Sequence, residues 1–161
     1  MAVEWDDEMT LGRPGEAVLA FGQPEFVMDG SKLVRIPVRA SSNGLVVESS
    51  IELVPWGQDT WIQALIAYLD DLDRSWRGWS GVKEWSDVER NVTLSAVHHS
   101  PLVATLTVKF MHLPVSAGGA GEWKVSVVLP FEPAAVSRLA KRVRAELARA
   151  PWEVPALPLK G

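Results

Sequence analysis

The chain contains no cysteine. That excludes disulfides, thiolate nucleophiles and cysteine metal ligands, and it fits a reducing compartment. No apolar run approaches the roughly 18 to 20 residues of a membrane span. The opening MAVEWDDEMT carries acids where a signal peptide needs a basic start and an apolar stretch. A cytoplasmic protein with no membrane partner is the expectation. Excess basic charge is also missing: 16 Lys and Arg stand against 20 Asp and Glu, a formal net charge of −4. No global field recruits nucleic acid.

Catalytic signatures are absent as well. There is no G-x-S-x-G, P-loop or G-x-G-x-x-G. The glycines of SAGGAG at 116–121 fall between strand-like segments, which suits a flexible loop better than a phosphate cradle. Histidine is limited to His98, His99 and His112. Neighbours on a strand point to opposite faces, so His98 and His99 are poorly placed to grip one ion. Zinc needs about three or four ligands, and no carboxylate stands at a diagnostic spacing, so no metal or cofactor is implied.

What the chain does have is alternation. A length of 161 residues and an apolar fraction of 47% suit a single globular domain over 1–161. Residues 1–15, polar and ending in GRPGE, read as a loosely held arm. Residues 150–161, with three prolines, read as an irregular tail anchored by Trp152, Val154 and Leu157. Between them, residues 16–22 and 31–40 read as strands. The second puts Val34, Ile36 and Val38 opposite Arg35 and Arg39, and Pro37 marks an edge or a bulge. SSNG predicts a turn, and the strand after it places Leu45, Val47, Ile51 and Leu53 inward, with Glu48 and Glu52 outward.

The period then changes. Trp61, Leu65, Leu69, Leu72 and Trp76 recur at helical intervals, with a Thr60/Gln63 capping box before them and Gly78 as terminator. Three more strands follow. Their inward sets are Val92, Leu94 and Ala96; then Leu102, Ala104, Leu106, Val108 and Phe110; then Trp123, Val125, Val127, Leu129 and Phe131. A last helix carries Val136, Leu139, Val143 and Leu147 as its stripe. The expected fold is α+β: an antiparallel sheet of about six strands in order βββ-α-βββ-α, with both helices packed on one face.

Tryptophan is abundant, with eight residues, three of them in DRSWRGWSGVKEW at 73–85. Trp76 continues the helical stripe and is expected in the core. Trp79 and Trp85 would plug the open end between helix and sheet, or Trp79 would project as a binding anchor. WRGWSG, then WSDVE from Trp85, then VTLSAVHH, resembles an uncharacterised domain-of-unknown-function family of small bacterial proteins. Such proteins are similar in organisation to immunity proteins of bacterial toxin systems. The resemblance covers about residues 60–148 and departs after His98, where HSP replaces an expected Asp-Gly turn. It implies an α+β fold and carries no catalytic residues over.

Charge supplies the candidate site. Asp70, Asp71 and Asp73 crowd the end of the first helix, where the helix dipole disfavours anions. The last helix carries Arg138, Lys141, Arg142, Arg144 and Arg149 against Glu146. The two helices either neutralise each other, or the acidic patch, with Trp79, meets a basic toxin or another cationic protein. The functional expectation is a non-enzymatic protein–protein interaction module, immunity-like by resemblance. The alternative is a small-ligand domain with a pocket between helix and sheet lined by Trp61, Trp76 and Trp79.

Overall fold

A computed structural model describes residues 3, 5–54, 61–100, 103–112 and 122–151, and of residues 61–63 the backbone only. In chain order the elements are β1 (Trp5–Gly12), β2 (Ala17–Gly22), β3 (Glu25–Phe26), β4 (Val34–Ser42), β5 (Leu45–Leu53), α1 (Trp61–Arg74), β6 (Val82–Ser86), β7 (Val92–Ser100), β8 (Val103–His112), β9 (Trp123–Phe131) and α2 (Ala135–Leu147). The fold is α+β, but the strands exceed six and divide between two antiparallel sheets. One runs β1-β2-β4, with β3 and β5 also paired to β4; the other runs β6-β7-β8-β9.

Local chemistry explains the hairpins. Asn43 and Gly44 both take positive φ (49° and 82°), the geometry whose twist matches paired strands. They join β4 and β5 in unbroken register from Val34↔Leu53 to Ser42↔Leu45. Pro37, which has no N–H to donate, sits where the ladder on the other side of β4 breaks. Phe21 pairs with Val38 and Glu25 with Arg35, so the register slips between β2 and β3. The bulge reading of Pro37 suits this position.

The helices do not lie together on one sheet face. α2 packs against α1 and β1, and α1 packs against β6. The helix pair therefore bridges the β1 edge of one sheet to the β6 edge of the other. β9 passes close to β2, β1 and β4, and β5 passes close to β7. Inward faces of both sheets and both helices share one core that includes Phe21, Ile36, Leu69, Phe110, Leu129 and Leu139.

Four placements change. Residues 5–12, read as part of a loose arm, form β1, and Met9 and Leu11 are buried. Leu45, expected inward, is exposed at the hairpin tip, and Trp123 is exposed at the far end of its strand. Trp76 is exposed over 49% of its surface because α1 ends at Arg74, before the stripe reaches it. Thr60, the Gln63 side chain, Leu102, the SAGGAG loop and the tail from Trp152 lie outside the described residues.

Candidate functional site

The acidic helix end is engaged within the fold. Asp70 is 6% exposed and forms an ion pair with Arg144 of α2. Asp71 pairs with Lys83 of β6, and Asp73 is half-buried and also has an interaction partner. The basic helix is answered from two directions. Arg142 reaches Asp6 of β1 at 2.8 Å and Glu146 at 2.9 Å. Its guanidinium holds the Asp6 carboxyl below its ordinary pKa, chiefly through that hydrogen bond. The mutual neutralisation expected of the two helices is thus present in Asp70–Arg144, and β1 extends it.

The tryptophans of residues 73–85 divide by role. Trp85 is 7% exposed and Trp79 half-buried against the core. Trp79 meets the His98 ring at 5.1 Å between centroids. Gly78, at φ 132°, makes the close approach possible, since a Cβ there would stand 2.9 Å from His98. Trp79 therefore closes the end of the second sheet. Trp76 lies outside, with Arg77 over its ring. Trp61 begins α1, and its side chain is outside the described residues. A cavity of about 360 Å³ is lined by neither Trp76 nor Trp79.

That cavity forms where the β1–β2 turn meets the end of β9 and the start of α2. Gly12, Arg13 and Glu16 come from the turn, Val103 from β8, and Pro130, Phe131, Glu132, Ala135 and Arg138 from β9 and beyond. Sequence reasoning missed it because its walls come from segments far apart in the chain. Among the described residues no group of three or more His, Cys, Asp or Glu is placed to hold a metal. His99 instead shares a 2.8 Å hydrogen bond with Thr105, and His112 stacks on Trp123 at 6.0 Å.

The two outer sheet faces differ in kind. The first sheet's carries charges that satisfy one another: Arg35 pairs with Glu52 at 3.3 Å and with Glu25 at 3.7 Å, and Arg39 lies over the Trp5 ring. The second sheet's is weakly charged. Its cross-strand rows are Val82-Val97-Thr105-Pro130, Glu84-Ser95-Thr107-Val128 and Ser86-Thr93-Lys109-Ser126. Val82 is 62% exposed and Val128 57%. The alternation of β7, β8 and β9 showed this face in the sequence; β6, hidden in the tryptophan-rich crossover, completes it.

A buried carboxylate ties the sheets together. Asp87, 1% exposed in the β6–β7 turn, accepts the N–H of Val92 at 3.2 Å and that of Glu52, on the edge strand β5, at 3.4 Å. Burial raises its pKa more than these bonds lower it. Tyr68 of α1 donates to the Lys83 carbonyl at 3.1 Å, and burial raises its pKa too.

The chain belongs to a family of unknown function, DUF6228, whose model matches residues 12–150. Comparison with curated proteins and with solved structures returned no match. Among the described residues, no helix is long and apolar enough to cross a membrane.

Proposed function

We propose that this member of the DUF6228 family is a protein–protein interaction module, and that it docks its partner on the outer face of the β6–β9 sheet. One observation carries the reading: a face of Val, Thr and Ser with its charges, Glu84, Lys109 and Lys124, kept apart. Few charges among exposed Val, Thr and Ser is a compositional mark of an interface. Three strands about 30 Å long and the shorter β6, all about 4.8 Å apart, give a face of about 500 Å². A mixed face of that size suits a small, reversible complex. The partner that fits is a folded protein presenting a flat, weakly charged surface.

This moves the docking surface away from Asp70, Asp71 and Asp73, whose charges are used within the fold. An immunity-like role in a bacterial cytoplasm, with a toxin as the partner, is the finer form of the reading. It is supported by the resemblance of the tryptophan-rich segment alone. The test is paired capture from host lysate with tagged wild type, the double variant Val82→Lys/Val128→Lys, and Asp73→Lys. A stoichiometric protein retained by wild type and Asp73→Lys but lost from the double variant supports this face. Equal retention by all three removes it.

A further inference from the structure

We infer that the cavity between the β1–β2 turn and α2 is a binding site for a free α-amino acid with an apolar side chain. The site adjoins one end of the docking face, with which it shares Pro130, but is argued from the cavity's own charges. The cavity, of about 360 Å³, is at the small end of ligand pockets. Its apolar wall is Phe131, Pro130, Val103 and Ala135, with Phe131 buried and held in the core cluster. Around that wall stand two guanidiniums and two carboxylates: Arg13, Arg138, Glu16 and Glu132.

The charges are unequally committed. Arg13 and Glu132 are joined at 3.4 Å, both about two-thirds exposed. Arg138 and Glu16 are exposed, and among the described residues neither has an ion-pair partner. One uncommitted cation and one uncommitted anion beside an apolar wall match the three parts of an apolar amino acid. The Arg138 fork receives the α-carboxylate, Glu16 receives the ammonium, and the side chain covers Phe131 and Pro130. A simple anion would leave Glu16 opposing it, and a simple cation would leave Arg138 opposing it. The zwitterion satisfies both.

The experiment is an NMR titration of the full chain with L-leucine and L-phenylalanine, beside N-acetyl-leucine and leucine amide. Saturable shifts at residues 12–16 and 130–138 with the free amino acids are expected. Arg138→Ala should weaken them about tenfold or more and erase the preference for leucine over its amide. Glu16→Gln should erase the preference over the N-acetyl derivative. Both residues are exposed, so the variants keep the fold, and unchanged spectra away from the cavity check this. Absence of saturable shifts up to about 10 mM, where even millimolar binders register, overturns the inference. So does binding indifferent to Arg138→Ala, or N-acetyl-leucine binding as well as leucine.

Discussion

Replacing Asp87 with alanine cuts the tie between the two sheets. Its oxygens accept the N–H groups of Val92 and Glu52. Val92 is fully buried, so after truncation its N–H finds no water. A buried donor left unpaired costs about 1–3 kcal/mol. The longer bond to Glu52, a half-buried residue, adds a smaller share. Against this, alanine relieves the desolvation of a carboxylate whose pKa is raised by burial. The net loss at neutral pH is about 2 kcal/mol, which in a chain of this size lowers the Tm by about 4–8 °C. The pH dependence has a defined sign. The folded pKa lies above the reference of 3.8, so on acidification the folded state takes up this proton before the unfolded state does. Wild type gains stability from that uptake and the alanine variant does not. The gap between them therefore widens as pH falls from about 7 toward the reference value. Urea unfolding followed by tryptophan fluorescence measures it. An unchanged Tm, or a gap that narrows with acid, refutes the reasoning.

Other perturbations have equally definite outcomes. Trp85→Ala should cost about 3–5 kcal/mol, whereas Trp85→Phe should cost much less, because the buried indole N–H has no partner among the described residues; denaturant titration compares the two. Trp79→Ala should lower the Tm by several degrees, while Trp76→Ala, at an exposed site, should stay within about 0.5 kcal/mol of wild type. Arg144→Ala leaves the buried Asp70 carboxylate without its ion pair and should cost about 3 kcal/mol; a neutral result in urea would show that Asp70 is served by other groups. Asp6 has the opposite pH behaviour to Asp87: its folded pKa is lowered by Arg142, so its contribution is present above the reference of 3.8 and is lost as pH falls through the folded value. Asp6→Asn should accordingly flatten the acid limb of the Tm profile.

Much of the fold was legible where one residue in two is apolar. Val34, Ile36 and Val38, or Leu106, Val108 and Phe110, face the core as their period requires. The strand β1 was not, because only Met9 and Leu11 of its residues are buried. Its acids find Arg142, 136 residues away from Asp6, and no local pattern announces such a pair. β6 was masked by the tryptophans around it, although Trp85 inward and Val82 and Glu84 outward obey strand alternation. Division into two sheets was invisible for another reason. Alternation says that a strand has one buried face, not which other strands share its ladder. The candidate site suffered most. Three aspartates within four residues look like a surface patch in the sequence, and only the packing of α1 on α2 and β6 shows Asp70 and Asp71 paired within the fold.

The docking face is tested most directly by the affinity of the captured protein for purified wild type and for Val82→Lys/Val128→Lys, measured by calorimetry with thermal melts as the folding control. Lysines at Val82 and Val128, the exposed valines on the two outer strands of the face, set two unpaired charges against the partner, so the account predicts a loss of about 100-fold or more with an unchanged melt. An affinity equal to that of wild type, in a double variant that melts normally, would contradict it.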